Sequence, residues 1–266
     1  MKTQEEQRTK QKLTLFGVLL VLMSSILYFC ILRNGYGINS GSVFAIGLMW
    51  VPGAAALASK LVVEHSVRSI GWRVQKGCGR QMIAAYLVPP VLCLVVYGLA
   101  WSTGAGTRTS GSVQQTVAFS TVGVLLNCAL ALGEEIGWRG FLLTELRKLF
   151  PLRTANAVIG GVWFLYHAPV ILLSNYNNGN IPWSLVCFLG MVLGFTVFAD
   201  ALCVEARSFW PAVLLHASHN TFVQSIFDPM TQNGPFTQFW TSEFGLGLAI
   251  AYAVVCGGLV LLQKKH

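Results

Sequence analysis

Three stretches of this 266-residue sequence set ionisable side chains inside apolar runs. A charge in hydrocarbon costs several kcal/mol, so each is a candidate for function. The first stretch is Gly133-Glu134-Glu135-Ile136-Gly137-Trp138-Arg139-Gly140. On a helix, Glu135 and Arg139 stand four apart on one face and can pair. Glu134 points about 100° away, toward the bundle, with no cation beside it. Two adjacent carboxylates in two environments is the arrangement that separates an acid/base residue from its support. The bland alternative is a charge cluster ending a membrane span, with Arg139 snorkelling to lipid phosphates. The second stretch, Trp163-Phe164-Leu165-Tyr166-His167-Ala168-Pro169, places His167 one turn from Trp163. The third, Leu214-Leu215-His216-Ala217-Ser218-His219-Asn220, puts His216 and Asn220 four apart on one side. Both can donate hydrogen bonds, as stabilising a developing oxyanion requires. Alone, each of these histidines reads equally as interhelical polar glue. His219 lies on a neighbouring face, outside the core set but within reach as a partner.

The elements that must position these groups are membrane helices. Hydrophobic residues make up 54% of the chain and charged residues 11%, against about 25% charged in soluble domains. Eight apolar segments run at about 15–32, 43–63, 82–101, 115–134, 157–174, 183–203, 209–227 and 244–262. Each approaches the roughly 20 residues a helix needs to cross the hydrocarbon. Barrel alternation is absent, and lipid satisfies no backbone polar group, so the spans are helical. Pro52, Pro89, Pro90, Pro169 and Pro211 mark kinks or helix starts. The expected fold is all-α: a polytopic bundle of about eight transmembrane helices, one integral membrane domain over 1–266, with the chemistry in about 115–225.

Net charge is +8, but its placement speaks for membrane orientation rather than nucleic acid. With the N-terminus inside and eight spans, every Lys and Arg except Arg33 and Arg108 falls on the inner side. That bias predicts a multi-pass protein of the plasma membrane with both termini cytoplasmic. The first segment is longer than a signal-peptide core and lacks a small-x-small site after it, so it reads as an uncleaved span. The seven cysteines form no CxxC pair, so neither a disulfide framework nor a thiolate zinc site is indicated. This topology puts Glu134 near the cytoplasmic surface and His216 roughly 10 Å in from the same side. His167 is deeper, or level with them, depending on where the fifth span enters. A carboxylate, two imidazoles and a carboxamide are thus expected in one cytoplasm-facing cavity, the parts for activating a water and holding a tetrahedral intermediate.

In this order and on these spans, the three stretches resemble the CAAX-protease and bacteriocin-processing (CPBP) family of intramembrane proteases. The family pattern is Glu-Glu-x-x-x-Arg, Phe-x-x-x-His, then His-x-x-x-Asn. The sequence supplies Glu134, Glu135 and Arg139, then His167, then His216 and Asn220, and departs from the pattern with Trp163 in place of Phe. The resemblance implies hydrolysis of a peptide bond near a protein terminus. Glu134, assisted by His167, deprotonates the attacking water; His216 and Asn220 form the oxyanion hole; Glu135 and Arg139 are the supporting pair. It implies no cofactor. Glu134, His167 and His216 also match a His₂Glu zinc set by ligand type, although the His-Glu-x-x-His spacing is absent. Implied partners are membrane lipid and a protein or peptide substrate, lipidated or carrying a leader, and no nucleic acid. Two other classes compete: a non-catalytic immunity or scaffold protein that keeps the polar network, and a small proton-coupled transporter. Substrate identity and oligomeric state are not readable from the sequence.

Overall fold

The computed structural model describes residues 2–33, 43–234 and 236–263. It is an all-α membrane bundle. Among the described residues six helices are long and apolar enough to cross a bilayer. They are α1 (Lys2–Arg33), α2 (Val43–Glu64), α3 (Gly79–Ser102), α4 (Val113–Leu149), α5 (Leu152–Leu173) and α6 (Ile181–Ala206). The last two expected segments are α7 (Trp210–Asn220, continued by a π-helical stretch Thr221–Phe227) and α8 (Leu246–Gln263). Pro211 sits in the first turn of α7, where its missing N–H costs nothing. Pro52, Pro89, Pro90 and Pro169 lie within helices.

The fourth helix differs from expectation. The charged cluster at Glu134–Arg139 marks its middle rather than its end, and the helix runs on to Leu149. From Ile136 to Leu143 it is wound as a π-helix with every residue buried. The charges are tolerated there because they are paired inside the protein rather than exposed at a membrane face. Wide turns of this kind concentrate at functional sites.

Opposite faces of the helices meet different surroundings. On α1, Val21, Leu22, Ile26 and Phe29 are exposed, whereas Phe16, Leu20 and Ile31 are buried. In a bilayer the first face meets lipid. The inner face of α2 presses on α4 at a glycine contact. A Cβ at Gly133 would stand 2.6 Å from the Met49 carbonyl oxygen, and one at Gly137 would stand 2.5 Å from the Pro52 Cβ. Small residues four apart are how membrane helices bring their backbones together, and here they set the depth at which Glu134 is carried.

The two ends of the bundle are closed differently. At the end where α2 finishes, Lys12, Lys60, Glu64 and Glu145 form an ion cluster, with Lys60 Nζ 2.5 Å from Glu145 Oε1 and Lys12 Nζ 2.6 Å from Glu145 Oε2. This cluster ties α1, α2 and α4 together. At the other end a short ribbon pairs β1 (Gly106–Arg108) antiparallel with β2 (Thr231–Asn233), Gly106 opposite Asn233. There the loop after α5 packs on the segment before α8: Asn178 donates to the Gln238 and Phe244 carbonyls, and Trp183 to that of Phe239.

Candidate active site

The three stretches converge on one cavity. Glu134, Trp163, Tyr166, His167, Phe195, His216, His219, Asn220, Gln224 and Glu243 are among its lining residues. Its volume is about 140 Å³; one water needs roughly 10–15 Å³ on that measure, so the space holds a reacting water and leaves room for a ligand.

Glu134 and Glu135 take the two environments expected of them. The Glu134 carboxylate accepts two indole N–H groups on the same oxygen, Oε2, from Trp138 at 3.0 Å and from Trp163 at 2.9 Å. The rest of the carboxylate faces the cavity. Glu135, fully buried, accepts from Arg139 Nη1 at 3.1 Å on both oxygens. Its Oε1 also lies 2.9 Å from His216 Nδ1. Glu135 therefore joins the guanidinium to the imidazole and does not reach the cavity itself.

These bonds fix the histidine tautomers. A carboxylate only accepts, so His216 carries a proton on Nδ1 and turns Nε2 to the cavity. His167 Nδ1 lies 3.0 Å from the Trp163 carbonyl oxygen. That oxygen also only accepts, so the neutral His167 ring keeps its lone pair on Nε2. Trp163 sits among these groups. Its ring centroid is 5.3 Å from that of His216 and 6.1 Å from that of His167, both edge-on, and the Arg139 guanidinium lies over it at 4.8 Å. Asn220, half-buried, lines the cavity one turn beyond His216. The six expected residues thus divide into four on the cavity (Glu134, His167, His216, Asn220) and two behind it (Glu135, Arg139).

The residues of the alternative zinc set, Glu134, His167 and His216, all line this cavity. Among the described residues no three His, Cys, Asp or Glu side chains are placed to hold a metal ion. The inner nitrogens of His167 and His216 are directed at protein acceptors.

Residues 114–222, which hold all three stretches, match the family described as type II CAAX prenyl endopeptidase Rce1-like. The CAAX prenyl protease 2 of Methanococcus maripaludis is 29% identical over 140 residues, 49% of this chain and 51% of that protein. Over this segment the chain is similar to the CAAX proteases. The chain spans about half the length of that relative. The matched segment ends at 222, two residues past Asn220, so the far end of the cavity is built by residues outside it.

Several side chains of the site escaped sequence reasoning. Asp200 on α6 is fully buried and accepts from Arg139 Nε at 2.8 Å. With its amide nitrogen turned inward, Asn156 donates to the other Asp200 oxygen at 3.0 Å. The available signal was an isolated acid within the apolar run Phe195–Cys203. At the far end, Glu243 accepts from Tyr176 Oη at 2.6 Å and Gln224 Nε2 at 2.8 Å, and its Oε1 lies 3.4 Å from His219 Nε2. His219 Nδ1 lies 3.0 Å from Tyr252 Oη. His219 is therefore a cavity residue bound to the outer lining. Nothing in its spacing marked Glu243, which arrives from a loop.

The cavity lies farther from the end of the fourth helix than a count from the fourth apolar segment places it. Glu134 lies in mid-helix, with α4 continuing to Leu149. His167 lies about 22 Å along α5 at 1.5 Å per residue. The cavity extends from them toward the loops at 174–180 and 228–245, the end opposite the basic loops.

Proposed function

We propose that this protein is an intramembrane endopeptidase that hydrolyses a peptide bond with a water activated by Glu134. The observation that carries the reading is the meeting, around one cavity, of the Glu134 carboxylate, the His167 and His216 rings and the Asn220 carboxamide. Glu134 and His167 take a proton from water as its oxygen attacks the scissile carbonyl carbon. The carbonyl π electrons move onto oxygen, and His216 Nε2 and the Asn220 carboxamide hold that oxyanion by hydrogen bonds. Collapse of the intermediate breaks the C–N bond, and the proton taken from water passes to the departing amine. For His216 to donate from Nε2 while keeping its Nδ1 proton it must be an imidazolium, which the Glu135 carboxylate stabilises at Nδ1. Arg139 and Asp200 hold Glu135 in place.

The chemistry is read as metal-independent: among the described residues no three His, Cys, Asp or Glu side chains are grouped to hold a metal ion, and a chelator tests this. The substrate is a protein or peptide within or beside the membrane, lipidated or bearing a leader. The test is purified protein in detergent with a mixed peptide library, products read by mass spectrometry with and without a chelator. Cleavage that survives the chelator supports the reading. Cleavage that the chelator abolishes moves Glu134, His167 and His216 into a metal site. Absence of cleavage across the library favours the non-catalytic scaffold.

A further inference from the structure

The direction in which the cavity runs carries an inference about its substrate. Its lining residues cluster toward one end of almost every helix they come from. Tyr28 lies in the last turns of α1, and Ala45, Leu48 and Met49 in the first turns of α2. Tyr166, His167 and Val170 belong to the last turns of α5, Tyr176 to the loop after it, and Phe188 to the first half of α6. Gln224 lies in the π-helical end of α7, and Glu243 in the loop beyond. Neighbouring helices run in opposite directions, so these positions all lie toward the same end of the bundle.

Toward the other end the cavity stops. Below Glu134 lie Trp138, Arg139 and Phe141 of α4, Phe16 of α1, Ile159 of α5 and Asp200 of α6, each no more than 2% exposed. That closed end carries the connection at 65–78, with Arg68, Arg73 and Lys76, and the turn with Arg207. The end toward which the cavity runs has Arg108 alone among Lys and Arg in its described loops, together with Asp228 and Glu243. Lys and Arg in short loops mark the cytoplasmic side, so the closed end is cytoplasmic.

We infer that the cavity fills from the non-cytoplasmic side, and that its substrate is an exported or membrane-anchored polypeptide presenting its scissile bond to that leaflet. The word substrate rests on the peptidase reading; the side of access does not.

The test is thiol labelling in intact cells with a charged, membrane-impermeant maleimide, read against the wild-type chain, whose own cysteines give the background. Gln224→Cys reports the exposed rim of the cavity and Met49→Cys its half-buried wall. Ser110→Cys and Lys76→Cys, both exposed, report the two ends of the bundle. Variants that elute as wild type in detergent are compared before and after permeabilisation. The expected result is labelling of Ser110→Cys and of at least one cavity probe in intact cells, with Lys76→Cys labelled only after permeabilisation. Cavity probes that follow Lys76→Cys overturn the inference. So does labelling of neither cavity probe on either side, or a Ser110→Cys that reacts only in permeabilised cells. Turnover plays no part in this readout, so a failed peptidase reading and a failed access reading are told apart.

Discussion

Trp163 binds Glu134 on one carboxylate oxygen only: its indole N–H ends on Oε2 at 2.9 Å, the same atom that receives Trp138 at 3.0 Å. Among the described residues no protein donor reaches Oε1. The CPBP pattern has Phe at this position, a ring without that N–H, so the departure adds a bond to the residue assigned as the base. A hydrogen bond to a charged group is worth roughly 1.5–3 kcal/mol. Trp163→Phe keeps the ring and loses the bond. We expect kcat to fall about tenfold with KM unchanged, since 1.4 kcal/mol is a factor of ten in rate. Steady-state kinetics on a cleaved peptide decides it, and a raised KM at constant kcat would move Trp163 from positioning the base to binding the substrate.

Arg139 is held from two helices, by Glu135 on its own helix and by Asp200 on α6. Arg139→Ala leaves two carboxylates buried without a cation, a change that costs about 3–5 kcal/mol in buried pairs. The expected outcome is a clearly lowered melting temperature in detergent together with lost activity. Asp200→Asn leaves the Glu135–Arg139 bond in place, so a smaller loss of both is expected. If the two variants melt alike, the network does not act through Arg139.

Lys60 and Lys12 share Glu145 at the closed end of the bundle, all three almost completely buried. Glu145→Gln strands two ammonium groups beside Glu64. A loss of about 3 kcal/mol is expected, visible as a lower melting temperature, with the kinetics of the surviving folded protein unchanged. Activity lost without any change in melting would place the cluster in the reaction.

The segment before α8 couples stability to pH through two carboxyl groups. Burial pushes Asp228 up to about 7 and the charge of Glu243 adds to this, while the hydrogen bond from Tyr97 opposes it. Glu243 is also penalised by burial, but His219, Tyr176 and Gln224 outweigh that and hold it down to about 2. An Asp whose folded value is raised binds its proton more tightly when folded. Its contribution is therefore complete below the ordinary value of about 4 and is lost as pH rises through 7. For Glu243 the sign reverses: its contribution is present above about 4 and lost as pH falls through 2. Melting temperature should thus decline from pH 5 to pH 8, and Asp228→Asn should flatten that decline. An unchanged slope in the variant would contradict the assignment.

How far the sequence disclosed these features follows from their physics. Apolar runs locate the membrane helices to within a few residues except at α1 and the inner end of α4, because burial in lipid is a property of each segment by itself. The Glu135–Arg139 pair was legible because its partners are four apart on one helix. Asp200 was not, since it meets Arg139 across 61 positions of chain. The indole N–H groups of Trp138 and Trp163 were not legible as partners of Glu134, because only the fold brings both to one oxygen. The run to Leu149 was missed because charges in an apolar stretch look like its end when their partners are unseen. The depth of Glu134 was misjudged with it, having been counted from that supposed end.

The account rests on Glu134 as the base, and Glu134→Gln tests it most directly. The Gln side-chain oxygen can still accept both indole N–H groups, so the variant is expected to fold and melt as the wild type. A positioned base contributes roughly 10²–10⁴-fold, and cleavage of the peptides that the wild type cuts should fall by at least that factor, to background. A folded Glu134→Gln protein that cleaves them at the wild-type rate would contradict the account.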